Sequence, residues 1–384
     1  MTVYDEITTL SNTNPKVLFR LFAYTYTPFI RTITLPLHIH YGKDKEAILI
    51  EFRKLRNIEF ILRNTIIKLG SEWSYTIVCG IRNETFMRNI VSSLARNIKI
   101  IVLPFENLCP TTYSELLSQE NFWTRFHGNK LLIYQEDSCI FKYGSVDKFL
   151  KWDYIGAPWL KTQNDNLNVV GNGGFSLRTK QCMIDVIRKI SIQNTKFNSC
   201  TLEYIKNSNL LCPPEDVYFS LNMINMGIGK VADWDSAKEF SSESVHNPYS
   251  FAGHNFWLSN PSWIVSLQHR IFPILLLSFS YKVKIESEDY IYFLTICKYF
   301  IENKSCIVYL CMDVNQHRVQ ELIVNLFGKS FLHAFIFFPS NQTAILEGKA
   351  DYHITQVMPF IPQLKKGELT PFEKTMFDCR IPEP

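Results

Sequence analysis

Short apolar runs alternate with amphipathic helical stretches through the first third of the chain, and that rhythm restricts the fold more than any other feature. Residues 47–51, 75–79, 98–103 and 130–134 read as strands. Between them, residues 55–69 carry apolar side chains at helical spacing and stop at Gly70, and residues 82–96 and 113–117 also read as helices. Strand starts therefore recur about every twenty-five to thirty residues, which predicts a parallel, Rossmann-like sheet. Such sheets bind ligands outside the carboxyl ends of their strands. No glycine fingerprint for a dinucleotide and no P-loop is present, so those two modes of phosphate binding are not supported.

The chain has 384 residues and is 46% hydrophobic, enough for a large core and for two domains. A net charge of +4 without a Lys/Arg block gives no electrostatic case for nucleic acid. The most apolar run, residues 271–280, is far short of the ~20 residues that span a bilayer. Asp5 and Glu6 do not suit a secretion signal, and the expected location is cytoplasmic. The ten cysteines form no Cys-x-x-Cys pair, so buried reduced thiols are expected rather than a zinc site.

Residues 1–43 read as a lead-in, broken by Asn12, Asn14, Pro15, Pro28 and Pro36. After residue 134 loops lengthen and aromatics gather, with a strand expected at 174–177 and helices at 180–190 and 214–226, the last ending at Gly227. The character changes again near residue 280. Segments 306–311, 319–326 and 331–338 suggest an accessory α/β subdomain, and no internal repeat is evident in the sequence.

Five segments carry chemistry. Gln135-Glu136-Asp137-Ser138 follows the fourth strand, where a carboxylate can hold a divalent cation and through it a diphosphate; an ordinary acidic turn is the alternative. Asp233-Trp234-Asp235 is a literal Asp-x-Asp, but the spacing is common and a structural role is favoured. Val170-Gly171-Asn172-Gly173-Gly174 lets backbone approach a ligand or another element closely. Glu215-Asp216 opens a proline-started helix, where a carboxylate could act as a base or serve the helix terminus. His254 among aromatics is a ligand or a hydrogen-bonded core residue. Trp152, Tyr154 and Trp159 could stack on a sugar or base, or simply fill the core.

As an ordered set, these segments resemble a GT-A-type glycosyltransferase family found in bacteria, fungi and giant viruses. The resemblance rests on Gln135 to Ser138, on Asp153-Tyr154-Ile155-Gly156-Ala157-Pro158-Trp159, on Val170 to Arg178, on Glu215-Asp216-Val217-Tyr218-Phe219 and on His254. Phe122-Trp123 and Ile50-Glu51-Phe52-Arg53 also fit, and the set covers roughly residues 45 to 265. The motif order is more distantly similar to that of beta-3-galactosyltransferase-like enzymes. Richness in Ile, Asn, Lys and Phe suits an AT-biased genome such as a giant virus's.

The resemblance implies an α/β fold of GT-A type, with a Rossmann-like nucleotide-binding half over 44–138 and an acceptor half over 139–280; the accessory α/β subdomain over 281–384 is read from its own strand and helix pattern, and the resemblance says nothing of it. It implies a transferase moving a sugar from a nucleotide-diphosphate donor to an acceptor hydroxyl of a glycan, protein or lipid, with inversion. Asp216 takes the place of the base, with Glu215 as its rival. Asp137 and His254 take the metal positions for Mn²⁺ or Mg²⁺, although Glu136-Asp137-Ser138 is a degenerate form of the motif. Glu51, Arg53, Asn172, Gly173, Gly174 and Trp159 fall on the donor side. Two other readings are a non-catalytic nucleotide-sugar-binding relative and a metal-dependent hydrolase, which would need a second carboxylate cluster. The C-terminal hundred residues have three candidate roles: binding acceptor, mediating a homodimer, or beginning another catalytic unit.

Overall fold

A computed structural model describes residues 14–160, 170–278, 288–312 and 316–354. Asn12, Cys379 and the acidic N-terminal residues lie outside the described residues. Contacts divide the chain into two units. The first comprises residues 1–24 and 35–265, and the second comprises residues 25–34 and 266–384.

The first unit begins with the first part of helix α1 (Pro15–Ile30). Pro15 sits at its start, where a missing N–H costs nothing. Alternating strands and helices follow in the expected rhythm: β1 (Lys45–Ile50), α2 (Ile58–Leu69), β2 (Ser74–Gly80), α3 (Glu84–Leu94), β3 (Lys99–Leu103), α4 (Pro110–Leu117), α5 (Glu120–Trp123) and β4 (Lys130–Tyr134). β1 and β2 are buried almost throughout, as expected of strands covered on both faces. The second half carries β5 (Ser138–Ile140), β6 (Tyr154–Ile155), β7 (Phe175–Thr179), α6 (Lys180–Lys189), α7 (Ser199–Asn207), α8 (Glu215–Met226), α9 (Trp234–Phe240), β8 (Ser241–Ser242) and β9 (Ala252–His254).

The main sheet has the order β3-β2-β1-β4-β7-β6. β3, β2, β1 and β4 are parallel, whereas β7 runs antiparallel to β4, with Lys130 opposite Thr179 and Tyr134 opposite Phe175. This is the α/β architecture expected: a Rossmann-like parallel half and a second half of different character. The chain steps outward from β1 to β3 and returns to place β4 on the other side of β1. The crevice at the carboxyl ends of β1 and β4 is thus the point where strand order reverses, the usual ligand position in such sheets. A small sheet, β5-β9-β8, pairs Ser138 with His254 and so brings residue 254 beside the turn after β4.

The second unit holds α10 (Leu267–Ile271), β10 (Ile274–Ser278), α11 (Glu288–Lys304), β11 (Ile307–Cys311), α12 (Gln316–Phe327), β12 (Phe335–Phe338), α13 (Thr343–Glu347) and β13 (Tyr352–Ile354). Its four strands are all parallel in the order β12-β11-β10-β13. Third, second, first, fourth is also the order of the parallel strands in the first unit. The sequence shows no repeat, yet the topology repeats.

Eight described cysteines are free thiols, six of them buried, and only Cys109 is exposed. The expectation of buried thiols holds for those six, whereas Cys109 is exposed and Cys182 is partly buried. No described helix is long and apolar enough to cross a membrane.

Candidate functional site

The acidic turn after β4 is buried, with Glu136 and Asp137 almost inaccessible to solvent. A buried carboxylate needs a counter-charge. Arg20 from α1 forks onto both oxygens of Glu136, and Arg53 adds a contact at 3.2 Å. The Asn57 side chain donates to the Glu136 carbonyl at 2.9 Å and to its carboxylate at 3.3 Å. Arg53 is itself held by Glu51, which accepts from its backbone N–H at 2.7 Å and from its guanidinium at 2.8 Å. Glu51 and Arg53 follow β1, so the two expected donor-side residues meet the acidic turn at the reversal point of the sheet.

Asp137 is bracketed by two cations. Lys16 Nζ lies 2.5 Å from Oδ2, and His254 Nε2 lies 3.2 Å from Oδ1. Burial alone would raise the Asp137 pKa, but His254 and Lys16 overcome it and hold the carboxyl far below the usual range. The other His254 nitrogen, Nδ1, lies 3.1 Å from Glu243 Oε1. Burial works against a charged imidazole there, yet Asp137 and Glu243 raise its pKa to about 10. The two flanking carboxylates thus favour the protonated ring at neutral pH.

The second cluster centres on the start of α8. Pro214 precedes the helix and Gly227 ends it with a left-handed φ of 63°, as the sequence signals. Glu215 is almost fully buried in a bidentate pair with Arg178, at 2.5 and 3.0 Å. Arg178 is itself wholly buried, with its guanidinium 4.9 Å from the Tyr154 ring centre and 5.7 Å from those of Trp123 and Phe219. Both Glu215 oxygens are thus committed to Arg178.

Asp216 is only partly buried and makes no ion pair among the described residues; its Oδ2 accepts the Gly173 N–H at 3.0 Å and its Oδ1 accepts the Val217 N–H at 2.8 Å. Close packing, then the Glu215 charge, push its pKa up to about 7 against the pull of these bonds and of Arg178.

The glycine-rich loop joins the two clusters. A Cβ at Gly174 would collide with the His254 ring, and one at Gly173 would collide with the Glu215 carboxylate and lie 2.9 Å from Arg178. The glycines therefore admit the protein's own side chains, one of the two uses open from the sequence. Asp216 and His254 consequently approach consecutive residues of one loop. Asn172 fixes that loop by accepting the Gly174 N–H at 3.0 Å. Trp159 is half-buried nearby, its indole within 3.3 Å of where a Gly171 Cβ would lie.

Asp233 has the structural role favoured for it: exposed, it caps α9 by accepting the Ser236 N–H at 2.7 Å. Lys16, Arg20, Asn57 and Glu243 escape sequence reasoning. Lys16 and Arg20 lie in the segment read as a lead-in, and nothing local distinguishes Glu243 within Ser241-Ser242-Glu243-Ser244.

Among the described residues no group of three or more His, Cys, Asp or Glu side chains is arranged to hold a metal. Asp137 Oδ1 and His254 Nε2 fit two positions of a divalent ion's shell. Oδ1 is buried with the His254 ring, at 3.2 Å, as its neighbour, and Glu243 orients the ring as a carboxylate behind a ligating histidine does. Such a shell needs the rest of its oxygens from a ligand, and it needs His254 to lose its proton.

A family profile described as "Protein of unknown function (DUF5672)" matches residues 97–256. No curated protein matches the chain significantly. Among solved structures, the chain is similar to the apo-form glycosyltransferase GlyE of Streptococcus pneumoniae TIGR4, with 10% identity over 85% of this chain and 90% of that one, at a TM-score of 0.34. It is also similar to the inositol-1-phosphate CTP transferase from T. maritima, with 12% identity over 51% of this chain and 87% of that one, at a TM-score of 0.31. HddC from Yersinia pseudotuberculosis matches with 11% identity over 37% and 79%, at a TM-score of 0.27.

Proposed function

We propose that the chain is a glycosyltransferase that uses a nucleotide-diphosphate sugar, with Asp216 as its general base. The observation that carries this reading is the division of labour between Glu215 and Asp216. Glu215 is bound on both oxygens by Arg178, whereas Asp216 makes no ion pair among the described residues, reaches solvent and has a pKa of about 7. A base is most effective when its pKa lies near the working pH.

The donor would sit over the carboxyl ends of β1 and β4, with its diphosphate near Glu51, Arg53 and the acidic turn. Asp216 takes the proton of an acceptor hydroxyl. The oxygen attacks the anomeric carbon, the carbon–oxygen bond to the diphosphate breaks, and its electron pair leaves with the nucleoside diphosphate. A single displacement inverts the anomeric centre. Asp137 and His254 would hold a divalent cation, Mn²⁺ or Mg²⁺, which when bound neutralises charge on the leaving group. Gly173 and Gly174 keep the base and the acidic turn adjacent.

The test is transfer from a panel of nucleotide sugars, in Mn²⁺ and in EDTA, by the native chain and by Asp216→Asn. Turnover that survives the substitution excludes Asp216 as base, and equal turnover in EDTA excludes the metal's part. The paired state of every carboxylate in the acidic turn favours a second reading, nucleotide-sugar binding without turnover. Binding with neither transfer nor hydrolysis on any donor would support it.

A further inference from the structure

The cation that lies against Asp137 belongs to the chain itself. Lys16 Nζ is 2.5 Å from Asp137 Oδ2 and 3.3 Å from Glu136 Oε1. The Asp137 side chain is 4% exposed and that of Lys16 is 36% exposed, so the ammonium closes the acidic turn from the solvent side.

The three permanent cations around the turn are not equivalent. Arg20 is locked as a planar fork on Glu136, and Arg53 is locked on Glu51 and Glu136. Lys16 is a point charge on a flexible stem, with no fixed geometry to lose when it moves. Its helix is anchored independently, because Phe19 is fully buried with its ring centre 5.6 Å from that of Phe256 and 5.5 Å from that of Trp257. The ammonium can swing while the helix stays.

Charge counting points the same way. Three permanent cations, Lys16, Arg20 and Arg53, face the three carboxylates of Glu51, Glu136 and Asp137. A dication added to this set without a departure would place excess positive charge in a poorly solvated site. The movable positive charge is Lys16, and the entering diphosphate brings the negative charge that would receive it.

We propose that Lys16 is the resident counter-cation of the donor site: it holds Asp137 in the metal-free protein, yields that carboxylate to an entering divalent cation, and turns to the diphosphate of the bound nucleotide. This rests on the reading of the acidic turn as the donor site. It gives one residue two effects of opposite sign, which a merely structural lysine would not have.

The experiment measures Mn²⁺ binding to the nucleotide-free full chain by calorimetry or by manganese spin resonance, and UDP and GDP binding by calorimetry at saturating Mn²⁺. Lys16→Met is expected to bind Mn²⁺ about tenfold more tightly than the native chain and the nucleoside diphosphate about tenfold more weakly. Lys16→Gln, which keeps length and a hydrogen-bond donor, covers the case in which the methionine variant fails to fold and should shift both constants in the same directions. Unchanged Mn²⁺ affinity in a folded variant overturns the competition, and unchanged nucleotide affinity overturns the diphosphate contact. If the native chain binds neither UDP nor GDP, with or without Mn²⁺, the donor-site reading fails and takes the Lys16 proposal with it.

Discussion

At the scale of single residues, two neighbouring carboxylates have opposite fates because of one arginine. From the sequence, Glu215 and Asp216 were rivals, since both suit a helix start. What separates them is Arg178, thirty-seven residues before Glu215 and invisible as a partner without the fold. Glu215→Gln leaves Arg178 buried without its counter-charge and should destabilise the fold by about 3–5 kcal/mol, measured by denaturant unfolding. The same change removes a charge that raises the Asp216 pKa, so any transfer profile of that variant should rise at lower pH than the native one.

His254 makes a separate prediction about stability. Its pKa is raised from 6.5 to about 10 in the fold, so its ion pairs stabilise fully below about pH 6.5 and are lost as pH rises through 10. Asp137, held low, contributes above its unfolded pKa and loses that contribution only in acid. Asp216, raised to about 7, has completed its own change before that window ends. Melting temperature should therefore fall between pH 7 and 10, and His254→Gln should flatten that slope. An unchanged slope would show that the imidazolium is not there.

At the scale of elements, most strands and helices were readable from periodicity. The strand at 130–134 has the bounds expected, and the helix ending at Gly227 stops where its glycine predicts. Helix α1 was not readable, because Pro15 and Pro28 look like breakers. Pro15 is tolerated at the first turn, and Pro28 comes only in the last. Its two cations beside the acidic turn, Lys16 and Arg20, went unnoticed for the same reason. The glycine loop was recognised as a close-approach segment, but the partners that approach, His254 and Glu215, come from β9 and α8 and could be assigned only by topology. Gly174→Ala should cost about 1–3 kcal/mol in a thermal or urea melt, because a backbone-fixed loop cannot give way to the His254 ring. Gly348→Ala, where an added Cβ meets nothing within 4 Å, is the control and should be near neutral. The Asp-x-Asp motif is tested in the same way. Asp233→Ala removes a helix cap and should cost about 1 kcal/mol without altering Mn²⁺ or nucleotide binding.

At the scale of the whole molecule, the chain carries the same parallel strand order twice, with different chemistry at the end of the fourth strand. In the first unit β4 leads into Gln135-Glu136-Asp137. In the second, the sequence after β13 reads Thr355-Gln356-Val357-Met358, with no carboxylate. Hydrophobic patterning preserves a sheet while the turn chemistry diverges, which is why the repeat escapes a reading of the sequence. The donor reading therefore assigns nucleotide binding to the first unit alone. Ser278→Ala, which removes the 2.8 Å contact to His353 at the end of β10, should leave UDP and GDP affinity unchanged, whereas Asp137→Asn should remove the Mn²⁺ dependence of that affinity.

The most direct measurement is the pH profile of sugar transfer or donor hydrolysis for the native chain and for Asp216→Asn, on a panel of nucleotide-diphosphate sugars. The base is inactive when protonated, so native turnover should rise as pH passes through about 7. Asp216→Asn should bind donor as tightly as the native chain, lose about 10²–10⁴-fold in kcat, and lose that rise. A variant with native turnover and an unchanged profile, or a native chain that binds no nucleotide sugar at all, would contradict the assignment.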